Sequence, residues 1–234
     1  ASALRLMNSG SCSDTFLKQC PHDRRRSRRS FTQRNSDAMN DSIYLEAVET
    51  FREKFSNTSE LPSREPAAMS FATVGANGQP SVRTVLLRGF DKRGFVFFTN
   101  SSSRKGQQMA ANGQVGLCFH WDTWAEQVHV EGTVQKVDDA ESDAYWETRP
   151  RLSRIGAWAS EQSAELDSHK VLLKRVEQLE AKYEGVDVPR PDYWYGYRVV
   201  PSRIEFWCGR DARLHERVVY EECDNKWTKR MLFP

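Results

Sequence analysis

Two short apolar runs separated by a tight polar loop constrain this fold most strongly. Residues 82–90 (V-R-T-V-L-L-R-G-F) and 95–99 (F-V-F-F-T) are rich in β-branched and aromatic side chains. Residues 91–94 between them are polar and end in glycine, which tolerates the positive φ that such a turn needs. The pattern predicts a β-hairpin, and with it an antiparallel sheet in the middle of the chain.

The segment after this hairpin predicts a helix with an unfavourable charge at its start. Asn100 and the serines at 101–103 supply N-cap residue types, and Gly113 is placed to end the helix after about Asn112. The helix opens on Arg104 and Lys105, although the macrodipole already leaves partial positive charge there. A phosphate bound by free backbone N–H groups, serine hydroxyls and both cations would remove this conflict. A solvated basic turn on a surface helix is the alternative.

The rest of the pattern surrounds a β-rich core with helices. Apolar residues follow helical spacing in 41–55, and helices are also predicted at 138–148 and 164–184. Further strands are predicted at 67–74, 115–121, 127–137, 197–200, 204–207, 218–221 and 227–232. We therefore expect a β-rich α+β fold, antiparallel, with flanking helices.

Composition narrows the classes of protein to consider. With 234 residues and 38% hydrophobic content, the chain can bury one sizeable core. No apolar run approaches the roughly 18 residues of a membrane-spanning helix. The five cysteines lack C-x-x-C spacing, and His120 and His129 lack a companion at metal-ligand spacing. We expect no metal site and no membrane association.

Positive charge is concentrated at the N-terminus. Residues 1–35 contain eight Lys or Arg against Asp14 and Asp23. We interpret residues 1–38 as a basic segment, flexible or targeting, and residues 39–234 as one folded domain. A mitochondrial transit segment, a nucleic-acid-binding arm and plain disorder all fit this composition. A cytoplasmic location is the expectation, with mitochondrial targeting left open and nucleic acid not favoured as a partner.

Three blocks of sequence resemble one known family. R-T-V-L-L-R-G, the hairpin, F-F-T-N and S-R-K form the first block, and Y-W-E-T-R-P-R-L-S with S-E-Q-S forms the second. The third is R-I-E-F-W-C-G-R-D-A-R-L-H-E-R. Together they are similar to the pyridoxamine/pyridoxine 5′-phosphate oxidase family. The resemblance implies an FMN-binding split β-barrel that forms a homodimer with FMN at the subunit interface.

The resemblance also assigns site residues. It implies FMN contacts from Arg83, Thr84, Val85, Leu86, Leu87, Arg88, Phe98, Thr99, Arg104, Lys105, Gln127, Gln162, Ser163, Trp207 and Arg217. It implies substrate contacts from Arg88, Tyr145, Arg149, Ser153, Arg213, Leu214 and His215, with Arg213 and His215 as the catalytic residues. If 213–217 is extended, Arg213, His215 and Arg217 share one face. Arg28, Arg29 and Phe31 weakly resemble a segment that closes over the substrate.

The reaction implied by the resemblance is an oxidation at the 4-position substituent of pyridoxamine or pyridoxine 5′-phosphate. FMN takes the hydride, dioxygen reoxidises the flavin to give hydrogen peroxide, and pyridoxal 5′-phosphate is the product. Three positions depart from the usual pattern: Arg88 replaces lysine, Glu216 replaces aspartate and Tyr195 replaces glycine. The alternatives are a split-barrel flavoprotein acting on another substrate and a non-catalytic flavin- or nucleic-acid-binding protein.

Overall fold

The computed structural model of the chain describes residues 33–58 and 65–234. The expectations for Arg28, Arg29 and Phe31, and for most of the basic segment, lie outside the described residues. None of the helices in the described ranges combines the length and apolar character needed to cross a membrane.

Five α-helices surround nine strands in the described chain. The helices are α1 (Gln33–Asn57), α2 (Arg104–Ala111), α3 (Asp139–Thr148), α4 (Arg151–Ala159) and α5 (His169–Lys182). The strands are β1 (Ala68–Val74), β2 (Pro80–Leu86), β3 (Gly89–Asp91), β4 (Gly94–Asn100), β5 (Gln114–Trp121), β6 (Glu126–Lys136), β7 (Trp194–Cys208), β8 (Glu216–Cys223) and β9 (Lys226–Leu232). All strand pairs are antiparallel, in the order β2-β1-β5-β6-β7-β4-β3, with β8 and β9 extending from β7. The predicted β-rich antiparallel fold is confirmed.

The predicted hairpin forms, but residues 82–90 are not one strand. Phe90 pairs with Phe95, and the turn is tightened by the Arg93 N–H, which donates to Asp91 Oδ1 (2.7 Å). The chain changes partner at Leu87, whose N–H bonds the Ala67 carbonyl beside β1, whereas the N–H of Arg88 bonds Val96 of β4. This change of partner ends β2 and starts β3.

Strand β7 replaces two separate predicted strands and is the axis of the sheet. Its first half pairs with β4, its second half with β8, and β6 runs along both halves. The register of β6 and β7 shifts at one place: Glu131 pairs with Arg203 and Gly132 pairs with Pro201, so Ser202 is the extra residue of a bulge in β7. A side chain at Gly132 would lie 2.1 Å from the Val200 carbonyl oxygen, so this close approach requires glycine.

The helices differ from the predictions at four places. Helix α1 was predicted at 41–55 but spans Gln33–Asn57. Ser103 caps α2 by accepting from the Gly106 N–H, but the cap at the other end is Asn112 in extended conformation, so the predicted Gly113 cap is wrong. The predicted helix at 164–184 begins only at His169, because Ser168 before it has an extended backbone (φ −163°, ψ 158°) and is the N-cap residue. Helix α4 was not predicted, since its short apolar pattern follows directly on Pro150.

Phe51 of α1 lies at the centre of the main core. Its side chain is fully buried and meets Phe90, Phe95 and Phe119 edge-on at ring-centroid distances of 4.8, 4.9 and 5.0 Å. These partners come from β3, β4 and β5, so one ring packs the helix against three strands of the sheet. A second, smaller cluster joins α3, α4 and β7 through Trp146, Ile155 and Trp194.

We expect Phe51→Ala to lower the free energy of unfolding by about 3–5 kcal/mol, because it removes buried apolar surface and leaves a cavity. Urea denaturation followed by tryptophan fluorescence measures the change. Leu173→Ala is the control, since Leu173 is 49% exposed on α5, and we expect a change within about 0.5 kcal/mol there. Equal losses in the two variants would contradict the central role of Phe51.

Candidate active site

The start of α2 meets the end of β4 and the loop after α4. Lys105 Nζ donates to Ser103 Oγ (3.2 Å) and to Gln162 Oε1 (2.8 Å). Thr99 Oγ1 donates to the same Gln162 oxygen (3.3 Å). The segment from Thr99 to Lys105 and the loop after α4 are therefore joined through one amide side chain, although they lie 57 to 63 residues apart.

Arg83 of β2 reaches toward the same helix from the neighbouring strands. Its Nη1 donates to Thr73 Oγ1 (2.6 Å) and to the Phe71 carbonyl (3.1 Å), and its Nη2 donates to Gln108 Oε1 (3.1 Å). All of these acceptors are neutral, so they orient the guanidinium and leave its charge uncompensated. Sequence reasoning missed Thr73 and Gln108. Both contacts with Arg83 join residues that are distant in sequence, so no local pattern indicates them.

The electrostatics of this region favour an anion. Burial, with a contribution from Arg83, lowers the pKa of Lys105 to about 8. Burial and then Arg104 lower the pKa of Arg83. Within residues 33–58 and 65–234, neither Arg83, Arg104 nor Lys105 forms a salt bridge with a carboxylate. We call the surface of Arg83, Thr99, Arg104, Lys105 and Gln162 the basic groove.

A neighbouring cavity of about 400 Å³ collects a second set of predicted residues. Arg88, Tyr145, Arg149 and Ser153 all line it, and we call this set the arginine cavity. Leu86 and Phe98, both predicted contacts, line it too. The Phe98 and Tyr145 rings stack at a centroid distance of 4.0 Å and form an aromatic wall.

Arg149 is the most unusual side chain of this cavity. Its guanidinium lies over the Trp146 and Trp194 rings, at 5.1 and 4.7 Å from their centroids. Its Nη1 atom is buried without a hydrogen-bond partner in the described part of the chain, and burial lowers the pKa of the side chain. A buried charged donor left unpaired is costly, so the arrangement fits an anionic ligand that supplies the acceptor.

The basic groove and the arginine cavity are continuous. A cavity of about 340 Å³ between them is lined by Thr99 and Gln162 from the first and by Arg149 and Ser153 from the second. A further cavity of about 540 Å³ extends past Arg104, Gln162 and Ser163. The region is large enough and polar enough for an elongated ligand with anionic groups.

Helix α4 presents Ser153 to this cavity and is held by the backbone that follows α5. The Arg151 guanidinium donates to the Tyr183 and Val186 carbonyls. The Trp158 indole N–H donates to the Pro189 carbonyl (2.7 Å), and Arg154 pairs with Asp187 (2.7 Å). Residues 183–189 therefore fix the position of α4. Neither α4 nor its contacts with this segment were predicted from the sequence.

The remaining predicted residues gather at the other end of β7. Gln127 pairs with Trp207 across β6–β7, and Trp207 pairs with Arg217 across β7–β8. We call these three residues the tryptophan row. Arg217 Nε donates to Glu205 Oε1 (2.6 Å), a buried carboxylate that sequence reasoning missed. Although burial opposes ionisation of Glu205, hydrogen bonds from Arg217 and Arg203 lower its pKa.

The prediction that residues 213–217 are extended is wrong. A short 3-10 turn spans Asp211–Arg213, and β8 begins only at Glu216. The turn is closed by the Leu214 N–H, which donates to the Asp211 carbonyl (3.1 Å). Arg213 and Leu214 are exposed, whereas His215 packs on Trp207 at a centroid distance of 4.6 Å. Arg213 and Arg217 therefore do not share one strand face.

Two residues predicted to contact FMN face the core: Val85 in β2 and Leu87 just after this strand. Leu87 is 4% exposed in the main core, and Val85 packs against that core. Their side chains are therefore occupied, and any ligand contact from them would come from the backbone. Thr84, between Val85 and Arg83, is exposed. Among the described residues, no group of three or more His, Cys, Asp or Glu side chains is placed to hold a metal ion.

Comparison with known proteins agrees with this arrangement. Residues 59–183 match the family described as Pyridoxamine 5′-phosphate oxidase, and residues 194–234 match the Pyridoxine 5′-phosphate oxidase C-terminal dimerisation region. The chain is 50% identical to a pyridoxine/pyridoxamine 5′-phosphate oxidase of Myxococcus xanthus over 187 residues, covering 80% of this chain and 91% of that protein. It is 56% identical to one of Cupriavidus pinatubonensis over 171 residues, covering 73% and 79%. These bacterial relatives give no support to mitochondrial targeting.

Solved structures show the same fold. PhzG from Burkholderia lata 383, in complex with tetrahydrophenazine-1-carboxylic acid, is 31% identical with a TM-score of 0.76, covering 80% of this chain and 92% of that one. A pyridoxamine 5′-phosphate oxidase-related, FMN binding protein from Nostoc punctiforme has a TM-score of 0.63 at 17% identity, covers 80% and 96%, and supports the fold alone. By sequence and by its curled antiparallel sheet, the chain belongs to the pyridoxine/pyridoxamine 5′-phosphate oxidase family of split-barrel oxidoreductases.

Proposed function

We propose that this protein oxidises pyridoxamine 5′-phosphate and pyridoxine 5′-phosphate to pyridoxal 5′-phosphate, with FMN as cofactor and dioxygen as acceptor, releasing hydrogen peroxide. The observation that carries the proposal is the arginine cavity. A phosphate dianion needs a cation and hydroxyl donors, which Arg149, Tyr145 and Ser153 supply on one wall. The unpartnered Nη1 of Arg149 identifies the donor that such a ligand would satisfy.

The basic groove fits the phosphate of FMN. Arg83, Arg104 and Lys105 lie together without a carboxylate among the described residues, and Ser103 already fixes the first turn of α2. An anion there gains from the free N–H groups and from the helix dipole. Thr99, Gln162 and Ser163 border the path from this groove toward the arginine cavity.

The position of the tryptophan row supports a site shared between two chains. Trp194 lines the arginine cavity, and Trp207 lies 13 positions further along the same strand. At roughly 3.3 Å per residue this is about 40 Å of strand, further than one mononucleotide extends. Since residues 194–234 match a dimerisation region, we infer that the tryptophan row of one chain completes the groove of its partner in a homodimer.

The chain's own residues would bind and orient the reactants. FMN, when bound, supplies the hydride acceptor and the route to dioxygen. Arg88, Arg149 and Ser153 would hold the substrate phosphate, while Arg213 and His215 from the partner chain would contact the reacting end. The Phe98 and Tyr145 rings line the cavity with apolar surface and help to exclude water.

A second candidate is oxidation of a different substrate on the same fold. The structure of PhzG holds tetrahydrophenazine-1-carboxylic acid, so the fold accommodates other ligands. The identity of 50–56% to curated pyridoxine/pyridoxamine 5′-phosphate oxidases favours the first proposal over this one. The absorption spectrum of the purified protein, recorded without oxygen before and after addition of pyridoxamine 5′-phosphate, decides between them. Bleaching of the flavin band supports our proposal, and an unchanged band refutes it.

The double variant Arg104→Ala/Lys105→Ala should release most of the bound FMN, because it removes two of the three cations of the basic groove. Each charged contact contributes about 1.5–3 kcal/mol, so we expect affinity to fall at least about 100-fold. Fluorescence titration of the apoprotein with FMN measures it. Affinity equal to that of the wild type would show that the cofactor phosphate binds elsewhere.

FMN affinity should also depend on pH through Lys105. Its pKa of about 8 in the free protein lies below the ordinary value, and a nearby dianion favours the charged form and raises that pKa. Binding therefore takes up a proton above pH 8, so affinity should be flat between about pH 7 and 8, where the phosphate is a dianion, and then fall toward about tenfold per pH unit. Lys105→Arg should flatten the profile. A wild-type profile that stays flat to about pH 9.5 contradicts this account.

Arg149→Ala should reduce the specificity constant for pyridoxamine 5′-phosphate by about 10- to 100-fold, through loss of a charged hydrogen bond to phosphate. Pyridoxamine without its phosphate is the internal control and should lose little. Arg149→Lys should recover only part of the loss, because lysine lacks the planar fork. Steady-state oxidase assays give all values. Equal losses in the specificity constant for both substrates would show that Arg149 does not bind the phosphate.

Mixed dimers test the shared site. Arg149→Ala and Arg217→Ala alter opposite halves, so each mixed dimer should contain one intact site and one doubly altered site. Random mixing of two inactive variants should therefore restore about a quarter of wild-type activity. Arg149→Ala mixed with Arg88→Ala is the control, because both lie in one half and no intact site can form. Recovery in the control, or none in the test pair, would refute sharing.

A further inference from the structure

The loop between β7 and β8, residues 209–215, has an unfavourable backbone. Ala212 (φ 52°) and Arg213 (φ 61°) are consecutive residues in the left-handed region, which residues other than glycine rarely adopt. Such a conformation persists only where surrounding contacts hold it, and it is typical of functional segments. This loop contains Arg213 and His215, the residues assigned above to the substrate.

One ion pair closes the loop at its base. Arg210 Nε and Nη2 bind the two carboxylate oxygens of Glu216 at 3.1 and 2.9 Å, a bidentate arrangement that joins the residues on either side of the strained turn. Hydrogen bonds from Arg210 lower the pKa of Glu216, and Glu216 in turn raises the pKa of Arg210. The loop is anchored to the sheet by the Gly209 N–H, which donates to the Ala125 carbonyl (2.7 Å).

The same residue fixes the tautomer of His215. The backbone N–H of Arg210 donates to His215 Nδ1 (3.1 Å), and because a backbone N–H can only donate, Nδ1 is the acceptor. The neutral ring therefore carries its proton on Nε2. With one face of the ring against Trp207, His215 offers an Nε2–H donor in a fixed orientation.

We propose that Arg210 and Glu216 are positioning residues whose ion pair holds the strained 209–215 loop closed and so presents Arg213 and the Nε2–H of His215 to the substrate. The inference rests on the proposed function. It also accounts for Glu216, which stands where the family pattern usually has aspartate. The longer glutamate side chain engages both guanidinium nitrogens across the loop.

A simpler explanation is that these charges act on the anionic substrate through space. The two explanations predict different signs. If only charge mattered, Arg210→Ala would raise the KM for pyridoxamine 5′-phosphate and Glu216→Gln would lower it. If the ion pair closes the loop, both variants raise KM, because either one opens the base of the loop.

Steady-state kinetics of the flavin-loaded dimer with pyridoxamine 5′-phosphate give the first test. We expect Arg210→Ala and Glu216→Gln each to raise KM by roughly 2- to 5-fold, the range for exposed ion pairs. We expect kcat to change less and bound FMN to stay constant, and Arg210→Lys to recover part of the loss. Arg52→Ala is the matched control, since Arg52 pairs with Glu49 at 3.1 Å on the exposed face of α1; its kinetics should equal those of the wild type.

Limited trypsin digestion provides a readout independent of activity. Glu216→Gln leaves every tryptic bond of the loop in place, so faster cleavage after Arg213 reports opening of the loop. Mass spectrometry locates the cut, and Glu49→Gln is the matched control with no expected change. We expect cleavage after Arg213 to accelerate by roughly the same 2- to 5-fold as KM.

The outcomes separate cleanly. A raised KM in both variants, with faster cleavage after Arg213, supports the proposal. A KM lowered by Glu216→Gln, or a KM unchanged in both variants, overturns it, whatever the cleavage rate. A wild-type protein that binds flavin but does not oxidise pyridoxamine 5′-phosphate refutes the proposed function, and with it this role of the loop. Normal turnover with unaffected variants refutes the loop proposal alone.

Discussion

Uncompensated positive charge is the constraint on which the rest of this structure depends. Arg83, Lys105 and Arg149 are drawn partly out of water, and in the described chain no carboxylate pairs with any of them. Such charge opposes folding unless other contacts offset it. The offset comes from neutral partners: Thr73 and Gln108 orient Arg83, while Trp146 and Trp194 lie beneath Arg149. These contacts orient the cationic side chains but do not neutralise their charge.

The sheet sets the separation between the two groups of candidate residues. The change of partner at Leu87 turns the chain at the point where Arg88 leaves the core, and the first half of β7 brings Trp194 against the same region. The second half of β7 carries Trp207 away from it. One continuous strand therefore separates the two groups of candidate residues, which is why our proposal divides the site between two chains.

Much of this could be predicted from the sequence. Local patterns identified the hairpin, the α2 start after the N-cap residue types at 100–103, and most strands, because runs of β-branched and aromatic residues mark them. Resemblance gave the candidate residues, and six of them line one cavity: Leu86, Arg88, Phe98, Tyr145, Arg149 and Ser153. The features that were not predicted depend on residues that lie far apart in the sequence. No local pattern shows that Gln108 contacts Arg83, that Glu205 contacts Arg217, or that residues 212 and 213 lie in the left-handed region. Those features depend on which strands become neighbours.

The attachment of α4 has a consequence for how the sequence can vary. Arg151 and Trp158 bind carbonyl oxygens of residues 183–189, atoms that every amino acid carries. At Val186, whose carbonyl is used and whose side chain is 56% exposed, many residue types would serve equally well. The donors on α4 have no such freedom, because each must supply an N–H at a fixed reach. Neutral drift should therefore accumulate on the accepting segment while the donating helix stays almost unchanged.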